Sequence, residues 1–211
     1  MSDNFLFLWF CWMVWIILRF FSPENKLRAA FSLWLLIIII SSKIVFFIND
    51  YLSITLAIIS LMIGAIVMFS LKKYWIYHLI VILSLMLAHT ALLLFQKVSP
   101  VLIVMPATLL IILLHASIAV IFLKELFQQL FTVILGMGLG DLVYGIILNS
   151  YHMTYKIGHF TFLSQLIMTV ICLIIWQAIH QLRVWFIRSP KVIEYRLIHQ
   201  RESPVRYEYK Q

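Results

Sequence analysis

Residues 127–149 read FQQLFTVILGMGLGDLVYGIILN, an apolar stretch with a single charged side chain, Asp141. A bilayer core of about 30 Å needs roughly 20 predominantly apolar residues in one helix, so this stretch is long enough to span it. Similar apolar runs occupy most of the chain, at approximately 5–21, 29–48, 52–70, 75–95, 101–123 and 160–184. The sequence therefore predicts an all-α fold, a polytopic transmembrane helix bundle of about seven spans.

The composition supports a membrane protein and argues against a soluble domain. Of the 211 residues, 64% are hydrophobic and only 11% are charged, whereas a soluble domain carries roughly 25% charged residues. The net charge of +8 is spread between the apolar runs and the C-terminal tail rather than gathered in a domain that could read bases. We therefore expect the lipid bilayer as a partner and no nucleic acid.

The distribution of lysine and arginine predicts the orientation in the membrane. If the seven runs alternate in direction, one side of the membrane carries Lys43, Lys97 and Lys156, and the other side carries the remaining thirteen basic residues. Basic residues accumulate on the cytoplasmic side of membrane proteins. The N-terminus is thus predicted outside and the C-terminus in the cytoplasm, in a multi-pass protein of the plasma membrane. No basic residue precedes the first run, which argues against a signal peptide.

The composition changes near residue 188 and predicts two parts, a transmembrane helical bundle over 1–187 and a basic cytoplasmic tail over 188–211. The tail is too short to support a core of its own. We expect it to be partly disordered or to lie on the inner leaflet, whose anionic lipids attract basic side chains. The basic residues assigned to the membrane surface are Arg183, Arg188, Lys191 and Arg196.

Four of the six glycines of the chain lie in the run 127–149, at Gly136, Gly138, Gly140 and Gly145. Small residues allow helices to approach closely in membranes, and Gly136 and Gly140 form a GxxxG pair on one face. Tight helix packing is one interpretation. A local unwinding beside Asp141, with backbone carbonyls that help to hold a cation or a proton, is the other.

Asp141 is the principal candidate for intramembrane chemistry. A charged carboxylate at mid-bilayer costs at least roughly 2.5–3.5 kcal/mol, so Asp141 must be paired, protonated or hydrated. His89 and His115 are the available polar partners in neighbouring runs, and His115 is the closer of the two to Asp141 in depth. Tyr144 lies one turn beyond Asp141 in the same run. We predict an intramembrane polar cluster of Asp141, His115 and Tyr144, with His89 nearby. A proton relay and a purely structural hydrogen bond both remain open for Asp141.

The chain carries no catalytic or metal-binding motif: HExxH, CxxC and Walker-type patterns are absent. Cys11 and Cys172 lie within apolar runs and are expected to be free thiols. The polar stretch 150–159 contains two histidines and a methionine that could bind a soft metal, but it is interpreted as a solvated loop. We expect no enzyme activity, no catalytic residues, no metal and no cofactor.

The first run ends in Trp-Ile-Ile-Leu-Arg-Phe-Phe-Ser-Pro at residues 15–23, a basic loop follows, and a Gly-Asp pair lies in the sixth run. Together with the length and the predicted topology, these features resemble the YphA-like family of integral membrane proteins from endospore-forming Gram-positive bacteria. The resemblance implies a plasma-membrane or sporulation-related location and supplies no catalytic residues.

Two functions fit these observations. The chain is predicted to be a membrane scaffold or partner-binding subunit, with a membrane-protein partner or a second copy of itself. The alternative is a small transporter or channel-like protein that uses Asp141. No inverted repeat is evident between the two halves of the sequence, which disfavours the transporter.

Overall fold

The computed structural model describes residues 2–20, 26–48, 50–70, 75–98 and 106–201. The chain divides into two compact units, Met1–Leu173 and a second unit that begins at Ile174. Most of the described residues are helical, as predicted. Their seven helices are α1 (Ser2–Phe20), α2 (Lys26–Ser41), α3 (Leu56–Ser70), α4 (Trp75–Val98), α5 (Ala107–Phe122), α6 (Leu126–Ser150) and α7 (Phe160–Arg201).

Three described helical segments are long and apolar enough to cross a membrane, namely Ile76–Val98, Leu126–Ser150 and Phe160–Arg183. The other apolar helices are shorter, at 10–17 residues. α6 is the most enclosed of the three long segments, with 61% of its apolar stretch buried inside the protein against 33% in each of the other two. The helix that carries Asp141 is therefore the most buried of the three.

Within the first unit, α4, α5 and α6 alternate in direction. Gly136 of α6 lies against Leu85 of α4, and Gly140, one turn later, lies against His89, so α4 and α6 run parallel. The Tyr77 hydroxyl near the start of α4 donates to the Phe122 carbonyl at the end of α5, at 2.7 Å. α5 therefore runs antiparallel to both of its neighbours.

The structure also contains a small sheet, which the all-α prediction missed. Its three strands are β1 (Val45–Phe47), β2 (Leu52–Thr55) and β3 (Tyr155–Ile157), in the order β1-β2-β3. β1 pairs antiparallel with β2, and β2 pairs parallel with β3. The apolar runs 29–48 and 52–70 were each predicted as one helix, and both predictions were wrong, since α2 ends at Ser41 and α3 begins only at Leu56.

Local chemistry explains where α2 ends. The hydroxyls of Ser41 and Ser42 donate to the carbonyls of Ile38 and Ile39, and such local bonds compete with continuation of the helix. The next residues, Ile44 to Ile48, are β-branched or aromatic, types that favour strands. Apolar character alone cannot distinguish a short buried strand from a helix, which is why the sequence did not reveal the sheet.

The sheet lies where α2 and α6 end and α3 and α7 begin, and we call this end of the first unit the sheet end. Alternate residues of a strand point to opposite faces. Ile54 and Ile157, which pair across the strands, lie on one face, and Ile157 is fully buried. Phe47, Ser53 and Lys156 form a row on the opposite face. The sheet therefore has a face toward the bundle and a face away from it.

The core of the first unit is built from apolar side chains of nearly every helix. Phe7 of α1 packs edge-on against Phe160 of α7, with ring centroids 6.3 Å apart. Cys11 is buried and Cys172 half-buried, and both are free thiols. The largest fully enclosed side chains include Ile58, Leu85, Ile111, Met137, Phe162 and Leu163.

The second unit is Ile174–Gln211, and its described residues, Ile174 to Arg201, are helical and belong to α7. The predicted tail, 188–211, was expected to be partly disordered or to lie on the inner leaflet, and its backbone is helical as far as Arg201. Residues 202–211 lie outside the described part of the chain. The cytoplasmic location of this segment stays a prediction.

Candidate functional site

Asp141 lies inside the first unit, about nine residues before the end of α6, or roughly 13 Å along the helix axis. Its side chain is 0% exposed. A carboxylate in such a place must form hydrogen bonds, because an unsatisfied buried polar group costs about 1–3 kcal/mol and a charged one costs more. Asp141 is therefore enclosed by other residues of the first unit.

Both oxygens of the Asp141 carboxylate have partners from the segment that joins α6 to α7. The Tyr155 hydroxyl donates to Oδ1 at 2.5 Å, and the backbone N–H of Gly158 donates to Oδ2 at 2.7 Å. Tyr155 is in β3, so these two bonds fasten the sheet to α6. We call Asp141, Tyr155 and Gly158 the Asp141 latch.

Gly158 suits this latch for two reasons. Its φ is +71°, in the left-handed region that glycine adopts without the cost of a Cβ. A Cβ at this position would collide with Thr55 Oγ1. The Thr55 hydroxyl in turn donates to the Gly158 carbonyl at 2.9 Å, so the same glycine connects β2 to the latch.

The Tyr155 hydroxyl is held in its neutral, donating form. Burial is the main cause that raises its pKa above the ordinary tyrosine value, and the neighbouring Asp141 raises it further. His159 Nδ1 lies 3.5 Å from the same hydroxyl. Tyr155 therefore serves as a donor to Asp141 at physiological pH.

The predicted polar residues fall into two groups rather than one. The hydrogen bonds of Asp141 go to Tyr155 and Gly158, neither of which was predicted as a partner. Tyr144 packs its ring edge-on against Tyr155, with centroids 4.9 Å apart. His115 instead lies beside His89, with centroids 5.1 Å apart. The structure thus places Tyr144 against the latch and joins the two histidines to each other.

The histidine pair is fully buried between α4 and α5. His115 Nδ1 lies 2.6 Å from the Ile111 carbonyl, and since a carbonyl only accepts, Nδ1 carries a proton in this contact. His115 Nε2 and both ring nitrogens of His89 have no hydrogen-bond partner among the described residues. Phe162 covers His89 edge-on at 5.7 Å, so the pair sits in an apolar setting.

The glycines of α6 lie at close helix and strand contacts. A Cβ on Gly136 would lie 2.5 Å from Leu85 Cβ, and a Cβ on Gly140 would lie 2.7 Å from His89 Cβ. A Cβ on Gly138 would have more room, at 3.3 Å from Met62 Cγ of α3. A Cβ on Gly145 would lie 2.7 Å from Ile157 Cγ1 of β3. The backbone of α6 continues as a helix through all four positions, so the close contacts agree with the helix-packing interpretation, and the alternative of a local unwinding is not present there.

The sequence prediction missed Thr55, because the run 52–70 was interpreted as one helix. It also missed Tyr155 and Gly158, because the stretch 150–159 was interpreted as a solvated loop. That interpretation was wrong for its second half. Residues 151–154 are exposed, but Ile157 and Gly158 are buried and Tyr155 is half-buried. The available signal was the Tyr-Lys-Ile triplet followed by a glycine, a short strand pattern that ends in a turn residue.

Two cavities open at the sheet end. One, of about 310 Å³, is lined by Phe47, Asp50, Tyr51, Leu52, Ser53, Thr154, Tyr155 and Lys156. The other, of about 520 Å³, is lined by Ile48, Asp50, Tyr51, Asn149 and His152. Asp50 and Tyr51, the two residues before β2, line both cavities.

The remaining predicted site residues give little chemistry. Among the described residues, no group of three or more His, Cys, Asp or Glu side chains could hold a metal ion. Arg183 is exposed. The side chains of Arg188, Lys191 and Arg196 lie outside the described part of the chain, so their assignment to the membrane surface stays a prediction.

Comparison with known proteins gives one consistent result. The model of the YphA-like integral membrane protein family matches residues 3–196 of this chain. The uncharacterised protein YphA of Bacillus subtilis (strain 168) is 30% identical over 170 residues, which cover 77% of this chain and 81% of that protein. No solved structure matches the chain.

Proposed function

The chain belongs to the YphA-like integral membrane protein family, and we propose on that premise that it is a non-enzymatic scaffold or partner-binding subunit of the plasma membrane. The observation that carries this proposal is the Asp141 latch. The acidic side chain buried in α6 uses both carboxylate oxygens to hold the sheet against the bundle. Its role is therefore to stabilise the sheet end rather than to handle an ion or a proton.

The proposal includes a topology in which the seven helices cross the membrane in alternation, with the sheet end outside and α7 leading to the cytoplasm. The alternation of α4, α5 and α6 supports this arrangement. The charge count supports it as well, because Lys43, Lys97 and Lys156 are the basic residues assigned to the outer side.

The open edge of β1 supports a binding role. The Ile48 N–H donates to the Leu52 carbonyl of β2, and the Ile44 carbonyl accepts from the N–H of Leu56, the residue that follows β2. The backbone groups of Val45 and Phe47, which alternate with these, therefore point away from β2. Such groups cannot stay unpaired in hydrocarbon and must meet water or another chain. We propose that an extended segment of a partner membrane protein pairs with this edge.

The alternative function is transport through Asp141, and a flux measurement separates the two. Asp141→Asn keeps an acceptor for Gly158 N–H and gains an amide donor, so the fold should survive. Proteoliposomes with the wild-type chain and a pH-sensitive dye should show the same proton leak as those with Asp141→Asn. A faster proton flux in the wild type that is lost in Asp141→Asn would establish transport and contradict the scaffold.

The partner surface can be tested by photo-cross-linking in living cells. A photoreactive amino acid replaces Phe46, whose side chain is half exposed beside the open edge. We expect a discrete adduct with one membrane protein. The matched control is the same substitution at Ile121, which is more exposed but lies in the last turn of α5, away from the sheet end. This control should give only lipid adducts. Equal adduct patterns at the two positions would contradict the proposal that the edge of β1 binds a partner.

A further inference from the structure

The sheet face that points away from the bundle forms part of a cavity floor. Phe47 pairs with Ser53, and Ser53 pairs with Lys156, so the three side chains lie side by side on one face. All three line the cavity of about 310 Å³. This volume lies at the lower end of the range for small-ligand sites, which is about 300–1,000 Å³.

The cavity is lined by two opposite charges that do not neutralise each other. Asp50 and Lys156 both line it, and neither forms an ion pair with any residue that the structure describes. The hydroxyls of Ser53 and Thr154 and the ring of Tyr51 complete the polar lining. An acceptor carboxylate and a donor ammonium around one cavity are complementary to a zwitterion, since each end of the ligand meets an opposite charge.

The surroundings of the cavity are apolar and aromatic. Phe47 is 82% exposed, and Phe46 and Ile48 beside it are about half exposed. Lys43 is also exposed at this end of the unit. Aromatic rings and long basic side chains gather at the level of lipid headgroups, where each keeps its apolar part in lipid and its polar tip in water. A ligand in this cavity would thus have its polar part among charges and its apolar part beside Phe47.

We propose that the cavity of Phe47, Asp50, Tyr51, Ser53, Thr154 and Lys156 binds the headgroup of a phospholipid that carries a primary amine, phosphatidylethanolamine. Lys156 meets the phosphate, and Asp50 accepts hydrogen bonds from the ammonium, aided by the hydroxyls of Ser53 and Thr154. A choline headgroup presents methyl groups in place of these N–H donors. The inference needs the sheet end to lie at a membrane surface, but it does not need the scaffold role.

The test uses the full chain, purified in detergent and freed of lipid, with phosphatidylethanolamine or phosphatidylcholine added in equal amounts. Native mass spectrometry counts the lipids retained. We expect about tenfold more retained phosphatidylethanolamine. Asp50→Asn should remove the preference by lowering only the phosphatidylethanolamine count, whereas Lys156→Met should lower both counts because both lipids carry a phosphate.

Lys97→Met is the matched control, since Lys97 lies near the end of α4 at the same end of the unit but does not line the cavity. It should retain lipid as the wild type does. Equal retention of the two lipids by the wild type overturns the proposal, as does an unchanged preference in Asp50→Asn. A thermal shift with free phosphoethanolamine distinguishes a soluble ligand: stabilisation by it without any lipid preference would overturn the lipid assignment. Proton-flux results do not bear on this outcome.

Discussion

A carboxylate enclosed within a membrane-spanning helix is costly unless its hydrogen-bonding capacity is met. Asp141 meets this requirement with partners from outside its own helix, the Tyr155 hydroxyl and the Gly158 N–H. The partners lie 14 and 17 residues farther along the chain. The residue that looked most functional in the sequence therefore has a structural explanation in the fold.

The glycines of α6 give a prediction at the same scale. In Gly140→Ala the new methyl group would lie 2.7 Å from His89 Cβ and 3.0 Å from the Met86 carbonyl oxygen, neither of which can move without moving α4. We expect a loss of about 1–3 kcal/mol in unfolding free energy, the usual cost of overpacking. Gly138→Ala is the control, since its neighbour is the flexible side chain of Met62 at 3.3 Å.

Reversible unfolding in mixed micelles of mild detergent and sodium dodecyl sulfate measures both variants. Gly140→Ala should be less stable than Gly138→Ala by at least about 1 kcal/mol. Equal stability of the two variants would show that α4 and α6 are not packed as closely as the structure places them.

At the scale of elements, the sheet marks the limit of what the sequence could predict. The helices α4 and α6 follow from long apolar runs, and the structure has both within a few residues of the predicted bounds. The strands could not be predicted, because β1 and β2 share apolar runs with α2 and α3, and β3 pairs with β2 across some one hundred residues of chain. Pairing over such a distance leaves no local pattern.

The same limit applies to the candidate site. Burial of Asp141 follows from its place in an apolar run, but its partners depend on where β3 packs. The prediction placed His115 near Asp141 by comparing depths in neighbouring helices. Depth alone does not fix which face of a helix a side chain occupies, and the structure instead brings His115 beside His89.

The pH dependence of the latch follows from Tyr155. Its pKa is raised in the folded state by burial and by Asp141, so its contribution to stability is complete below the ordinary tyrosine pKa of about 10 and declines as the pH rises above it. The stability difference between the wild type and Tyr155→Phe should therefore shrink above pH 10, by up to about 1.4 kcal/mol per pH unit.

Unfolding free energies between pH 8 and pH 11 check this prediction. Tyr151→Phe is the control, since Tyr151 is exposed in the same segment, and it should follow the wild type throughout. If the difference in unfolding free energy between the wild type and Tyr155→Phe stays constant to pH 11, ionisation of Tyr155 does not weaken its contact with Asp141. That result would contradict the prediction.

For the whole molecule, the proposed topology places the sheet end outside the cell. A single cysteine in place of Thr154, which is exposed at the sheet end, should react with a membrane-impermeant maleimide in intact cells. A cysteine in place of Lys124, exposed between α5 and α6, should react only after the membrane is opened. Replacing Cys11 and Cys172 by serine removes the native thiols. If the cysteine at position 124 reacts in intact cells and the cysteine at position 154 reacts only after the membrane is opened, the proposed orientation is wrong.

The central claim is that Asp141 holds the sheet onto the bundle, and a double-mutant cycle tests it most directly. Asp141→Ala, Tyr155→Phe and the double variant are compared with the wild type by reversible unfolding in mixed micelles. The account predicts that each single variant is destabilised and that the two changes are not additive, with a coupling energy of about 1–2 kcal/mol. Additive effects of the two substitutions, with no coupling, would contradict it.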